Sequence, residues 1–548
     1  MNLKSCIAAA GVVAAMTLTA ACSGADTGTS AGGDAKVDVT RLKLTPTTPA
    51  AHGEVDTVDW MLEDEPESLD LDTRGGSAGR AVLTNVCERL YRLQPDMSVR
   101  TFLAEKESRP DDRTLVLTLR DGVTFHDGSP MTADDVLYSL RRHAEPGMEQ
   151  SDEFQHVSKM SKTGPREITI QFKQPDALFT KALAGDAGLV YNRRLVEKAG
   201  KDFGTPGQGD ACSGPYELTS WKSGDSVTIT RADDYWGEKP LTRKVVFRWA
   251  ADSALVNALT TGAADGTYAD SVNTAAALHG KDGIDEHFGP STATLALIPT
   301  ERGGLADPDI RRALSLALDR QGIAESGYGG LVEPWGTPVG SGSWGYERDT
   351  FAAAQKKITE APASPDAEDI AKAKGLVEKA EDAPDGPIVI GTDSTQGRLV
   401  IANAVRAALA RIGLKGEIRT VPSAEYGEFY GDKAARADID VLVADWYISK
   451  SDPIGLYDNA LSGSSDNWVG FRSASYDRKV AEAQAALDDK QRAALVVDIQ
   501  QEFSDAKVWI PIAQQPTALV INDELTGPPA SMAYLYYPWA ADLGAKRG

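Results

Sequence analysis

Residues 114–140 read Thr114-Leu115-Val116-Leu117-Thr118-Leu119-Arg120-Asp121-Gly122-Val123-Thr124-Phe125-His126-Asp127-Gly128-Ser129-Pro130-Met131-Thr132-Ala133-Asp134-Asp135-Val136-Leu137-Tyr138-Ser139-Leu140. Leu115, Leu117 and Leu119 alternate with Thr114, Val116 and Thr118, the period-two pattern of a strand with one buried face. Asp121-Gly122 supplies a hairpin turn, Val123 and Phe125 resume the alternation, and Asp127-Gly128 supplies a second turn. Thr132 followed by Asp135 forms a capping box, which starts a helix at Ala133 ahead of Val136, Leu137 and Leu140. Strand, turn, strand, turn and capped helix in one short stretch predict a mixed α/β protein.

Outward from this stretch the same patterns recur. Residues 167–172 and 227–230 alternate as strands. Asp307-Pro308 places a cap and a first-turn proline before Ile310, Ala313, Leu314 and Ala317, which share one helical face. Strand-like 388–390, helical 398–411 and strand-like 439–443 predict an alternating α/β lobe, and 476–506 reads as mostly helical. Pro/Gly-rich connections fall at 204–209 and 334–345, with no internal repeat.

The 548 residues are 42% hydrophobic and 25% charged, the composition of a folded chain with a large core. Acids outnumber bases 80 to 57, a formal charge of -23, so the cationic surface that nucleic acid requires is lacking. The same charge excludes a basic patch as a route to an anionic membrane. Lys4 followed by the uncharged run 7–21 reads as a secretory signal, residues 1–21, too short to span a bilayer. Its end, Leu18-Thr19-Ala20-Ala21-Cys22, resembles the lipobox of bacterial lipoproteins, which implies a lipid on Cys22; ordinary secretory cleavage is the alternative. Residues 22–51, rich in Ser, Gly, Thr and Ala, read as a flexible tether before a folded unit at 52–548. Cys87 and Cys212 remain in that unit, as one disulfide or as two buried thiols.

Catalytic patterns find little support. Gly75-Gly76-Ser77-Ala78-Gly79 matches a nucleophile elbow, but residues 63–72 are acidic and broken by Pro66 where a core strand should lead in. Ser504-x-x-Lys507, Ser465-Asp466-Asn467 and Lys162-Thr163-Gly164 match fragments of penicillin-binding enzymes in reversed chain order. The six histidines show no metal-ligand spacing, so neither a metal nor a cofactor is expected. An anchored hydrolase using Ser77 is the rival reading.

Residues 103–143 closely resemble the signature of the family 5 solute-binding proteins, the peptide, dipeptide and nickel receptors of ABC importers. Further landmarks recur in order: Glu67-Ser68-Leu69-Asp70, Asn85-Val86-Cys87-Glu88-Arg89-Leu90, Ser213-Gly214-Pro215-Tyr216, Asp234-Tyr235-Trp236-Gly237, and Asp309-Ile310-Arg311-Arg312-Ala313-Leu314 with Ala317-Leu318-Asp319-Arg320. The resemblance implies a periplasmic-binding-protein-like two-lobe clamp with an additional inserted subdomain. Lobe I would comprise about 52–78, 212–292 and 510–548, subdomain II about 79–211, and lobe III about 293–509. It places His126 and Asp127 in a structural turn, and a Cys87–Cys212 pair between subdomain II and lobe I. It implies an extracytoplasmic monomer that captures a peptide or other small solute for a permease and a separate ATPase. Peptide-binding members hold the ligand ammonium with an aspartate shortly before an acidic-Pro pair; the matching stretch is Asp445-Trp446-Tyr447-Ile448-Ser449-Lys450-Ser451-Asp452-Pro453, with Ser449 at that aspartate's place. Serine cannot neutralise an ammonium, so Asp445, Asp452 or Glu65 is expected to substitute, unless the ligand is an N-blocked peptide, an oligosaccharide or a metal chelate. Glu65, Trp446, Tyr447, Ser449 and Asp452 are the expected ligand-binding residues, with core packing the alternative for Trp446.

Overall fold

The computed structural model describes residues 42–547, so Cys22, the signal and most of the tether lie outside the described residues. Thr114–Leu119 is a strand with Leu115, Leu117 and Leu119 buried. Ala133–His143 is a helix in which Thr132 and Asp135 cap each other reciprocally. The second expected strand does not form. Val123 and Phe125 are buried, but Thr124 makes only an isolated bridge with Pro130. The Asp127 carboxylate accepts from the Ser129 N–H at 3.0 Å and Gly128 takes φ 79°, which turns the chain too tightly for a ladder.

Thr114–Leu119 belongs to a four-stranded antiparallel sheet in the order Ala104–Asp111, Thr114–Leu119, Glu167–Phe172, Val157–Gly164. Val136 and Leu140 of the capped helix join Leu115, Leu117, Ile168 and Ile170 in one core cluster. Each such fully buried side chain contributes about 1.5–3 kcal/mol of transfer free energy.

Two larger sheets form the rest. The first has seven strands in the order Ile284–Gly289, Thr517–Asn522, Gly266–Ala269, Val58–Leu62, Lys244–Trp249, Ser226–Arg231, Tyr216–Lys222. Val58–Leu62 runs parallel to both of its neighbours. The second has six, in the order Glu333–Pro334, Ile510–Gln514, Thr294–Pro299, Val441–Trp446, Ile388–Asp393, Gly416–Val421. Thr294–Pro299 and Ile388–Asp393 are buried along their whole length, as near-continuous apolar central strands must be. The helix Gln396–Arg411 connects the parallel pair Ile388–Asp393 and Gly416–Val421.

The chain passes between the two large sheets at residues 290–293 and returns at 515–516, and the Gln515 N–H donates to the Ala293 carbonyl at 3.1 Å, joining the two crossings. Arg320 braces this region. It is fully buried and donates to the carbonyls of Ser315, Pro362 and Pro511, and burial pushes its guanidinium down to about 9.

Several boundaries differ from the sequence reading. Ile510–Gln514, expected with the carboxy-terminal part of lobe I, pairs with Thr294–Pro299 in the second sheet, because its residues are all buried and need a ladder on that side. The described part of the expected tether is not free: Thr48 is buried, and its hydroxyl donates to the Pro528 carbonyl at 2.9 Å. The expected strand at 439–443 forms at Val441–Trp446, and the helical stretch 476–506 divides into Ala474–Ala485 and Asp489–Asp505, each opened by its own side-chain cap, Ser473 and Asp488. Cys87 and Cys212 are bonded, their Cα atoms 4.7 Å apart. Among the described residues no helix is long and apolar enough to cross a membrane.

Candidate ligand-binding site

The strands Val58–Leu62 and Gly266–Ala269 lie side by side and parallel, with Trp60 opposite Gly266 and Met61 opposite Thr267. Carried on by the same offset, this register brings Asp64 beside Asp270 just past the carboxyl ends of both strands. Ligand crevices in α/β sheets form at such ends. Gly266 is required there: a Cβ would stand 2.6 Å from the Trp60 ring. Gly79 likewise lets the helix Ser77–Leu83 close against the preceding loop, since a Cβ would meet the Ser68 carbonyl oxygen at 2.5 Å.

Between strand ends, loop and helix lies a cavity of about 210 Å³, walled by Trp60, Tyr268, Tyr534 and Ser77 and rimmed by Glu63, Asp64, Glu65, Glu67 and Asp270. Its lining holds five carboxylates and no lysine, arginine or histidine. Tyr268 and Tyr534 stack with centroids 3.8 Å apart, and the Tyr268 hydroxyl is held by the Pro529 carbonyl at 2.7 Å. Glu65 accepts from the Gly224 N–H at 3.1 Å, Glu63 from the Asp270 N–H at 3.2 Å, and Glu67 meets Arg74 at 3.8 Å in the open. Asp64 and Asp270 have no basic partner among the described residues. Asp270 stands open to the cavity yet is walled by protein; this burial and the charge of Asp64 push its carboxyl up to about 6. Ser77 is exposed at the edge, and the cavity contains no histidine to activate it.

The second sheet contributes the segment that follows Val441–Trp446. Tyr447 is 54% exposed, the one large hydrophobic side chain so placed among the described residues. Burial lowers the tendency of Arg80 to stay charged, but Asp186 and the phenols of Tyr536 and Tyr447 outweigh it, so the guanidinium is held above its ordinary range. Trp446 is half-buried and packs on Trp509 and Tyr430, with centroids at 5.1 and 5.7 Å, at the edge of a core cluster. Ser449 is exposed, and its hydroxyl has no partner among the described residues.

Asp452 does not face a ligand. It is fully buried, accepts from the Tyr346 hydroxyl at 3.1 Å and the Ile454 N–H at 3.2 Å, pairs with Arg492 at 3.0 Å, and lies 3.8 Å from the Lys181 ammonium. A carboxylate so enclosed has no free lone pair for a solute. Asp445 is likewise engaged by Arg398 at 2.5 Å. Lys450, between Ser449 and Asp452, pairs with Glu153 at 2.5 Å. His126 bonds Asp210 at 2.6 Å and the Gly214 carbonyl at 2.9 Å, which ties its turn to residues 210–214. Among the described residues no three His, Cys, Asp or Glu side chains converge to hold a metal ion.

Of the expected residues, the cavity takes in Glu65; Tyr447 and Ser449 are exposed, Trp446 is half-buried against Trp509 and Tyr430, and Asp452 is enclosed by Arg492, Lys181 and Tyr346. Sequence reasoning missed Trp60, Asp64, Tyr268, Asp270 and Tyr534. The available signal was weak: an acid just after each of two short apolar strands, with no indication that the strands are neighbours.

Comparison with known proteins places this geometry. The chain is 26% identical over 479 residues to the glutathione-binding protein GsiB of Salmonella typhi, covering 84% of this chain and 89% of that one. It is 25% identical over 427 residues to the probable D,D-dipeptide-binding periplasmic protein DdpA of Escherichia coli (strain K12), covering 76% and 79%. The ABC transporter substrate-binding protein CtaP of Listeria monocytogenes shares the fold, with a TM-score of 0.75 at 19% identity over 90% of this chain and 100% of that one. Residues 98–468 match the model of the bacterial extracellular solute-binding proteins, family 5 Middle. The chain belongs to the family 5 extracellular solute-binding proteins, the non-enzymatic substrate receptors of ABC importers.

Proposed function

We propose that this receptor captures an oligopeptide outside the cytoplasm by closing two lobes around it and presents it to the permease of its transporter, a separate ATPase driving uptake. The lobes are built on the two large sheets, lobe I from about 52–78, 212–292 and 515–548 and lobe III from about 293–514, with subdomain II at about 79–211. Closure turns about the crossings at 290–293 and 515–516 and shifts a population between open and closed states without making or breaking a bond. A lipid on Cys22 holds the receptor, as a monomer, to the outer face of the membrane.

The observation that carries this reading is the pairing of an acid-rimmed aromatic cavity on one sheet with the exposed Tyr447 on the other. An apolar wall with a few placed polar groups is what a small-solute site requires, and the relatives named for a dipeptide and for glutathione favour a peptide. Native mass spectrometry of the purified protein, followed by thermal-shift titration with di- to pentapeptides, tests it. At a hundred times its dissociation constant, a binding peptide adds about 2.7 kcal/mol of stability. A rise in melting temperature with sugars or metal chelates and with no peptide overturns the peptide assignment.

A further inference from the structure

The exposed Ser449 leaves the second sheet without a free carboxylate near Tyr447, since Asp445 and Asp452 are both held by arginines. The first sheet offers the reverse: Asp64 and Asp270 in adjacent register, on a cavity whose lining includes no basic group. A second observation points to a guest there. Tyr534 is 9% exposed and lines the cavity, and its hydroxyl has no hydrogen-bond partner among the described residues although Asp270 and Glu63 both act on it electrostatically. A hydroxyl that lines a cavity and has no protein partner is open to a guest there.

We infer that Asp270, with Asp64 beside it, receives the primary ammonium of the solute in the aromatic cavity formed by Trp60, Tyr268 and Tyr534. A metal ion is the poorer guest, because no three ligating side chains converge. An organic ammonium needs only opposing charge and gains from aromatic walls. At about 210 Å³ the cavity is smaller than the usual ligand pocket of about 300–1,000 Å³, as suits the end of a longer ligand. The inference rests on the peptide reading and adds where the amino end lies.

The test is calorimetric titration of the wild type, Asp270→Asn and Asp64→Asn with tetra-alanine, N-acetyl-tetra-alanine and 1,5-diaminopentane. The wild type should favour the free peptide over the acetylated one by about 10- to 100-fold, the range for a hydrogen bond between charged groups. Asp270→Asn should erase that preference, and a cooperative melt matching the wild type at pH 4 shows that the variant is folded. Equal binding of the two peptides, or a preference that survives both substitutions, overturns the ammonium assignment and leaves the peptide receptor standing. Diamine binding that depends on Asp270, with no peptide bound, upholds the cation site and overturns the peptide reading. Binding of none of the three overturns both.

Discussion

Two acidic places in this molecule look alike in sequence and behave oppositely in structure. Asp452, in the segment where a ligand-binding acid was expected, is fully buried between Arg492 and Lys181 and holds the 451–454 turn to helix Asp489–Asp505. Asp270 and Asp64 stand on an open cavity with no basic partner among the described residues. An acid whose charge is met internally supports the fold, whereas one left open and unmet is available to a solute.

The largest effect expected is at the paired site. Asp452→Asn removes the buried counter-charge of Lys181 and leaves Arg492 only its more exposed pair with Asp489, and should cost about 3–5 kcal/mol in urea unfolding; a cost below about 1 kcal/mol would break the contrast. Glu153→Gln strands Lys450 in the same way. Burial lowers the affinity of the Lys450 ammonium for its proton, but Glu153 overcomes this and holds it above the ordinary range. The contribution of the pair is therefore present at neutral pH and lost as pH rises through that raised value. A loss of about 1.5–3 kcal/mol is expected at pH 7; an unchanged midpoint would show that solvent screens the pair.

The cavity should respond in the opposite sense. With Asp270 raised to about 6 by burial and by Asp64, the native state binds more protons than the unfolded state between its ordinary pKa and that value. Stability therefore falls as pH climbs through this window. Asp270→Asn removes the fall and should raise the melting temperature by about 1 °C at pH 7.5 and not at pH 4. The groups facing it are Asp64, Glu63 and Tyr534, none of them basic. A variant less stable than wild type at pH 7.5 would mean that Asp270 holds the fold. Smallest of all, Ser449→Asp should change affinity for a free-amine peptide less than about threefold, below 1 kcal/mol, because the ammonium already has its counter-charge; a tenfold gain would move the amino end of the ligand to the second sheet.

Much of the fold was legible because local chemistry coded it. The Thr132–Asp135 box, the Asp307-Pro308 start and the alternation of Leu115, Leu117 and Leu119 each act within a few residues, and each forms as read. The failure at Val123 and Phe125 has the same local origin, since the Asp127–Ser129 turn closes before a ladder can extend. Ile510–Gln514, expected with lobe I, pairs with Thr294–Pro299 in the second sheet, because strand order depends on partners hundreds of residues away. The candidate site was only partly legible for that reason: Glu65 lies in a stretch that motif matching reaches, whereas Asp64 and Asp270 meet only through the parallel pairing of Trp60 with Gly266. Nor could Asp452 be told from a ligand-binding acid until Arg492 and Lys181 were seen around it.

The central claim is tested most directly by a crystal structure of the receptor with a free-amine tetrapeptide bound. The peptide nitrogen should lie about 3 Å from an Asp270 or Asp64 carboxylate oxygen, beside Trp60 and Tyr534 and with Tyr447 closed over the chain. An amine placed instead against residues 445–452, with the acidic cavity holding only solvent, would contradict it.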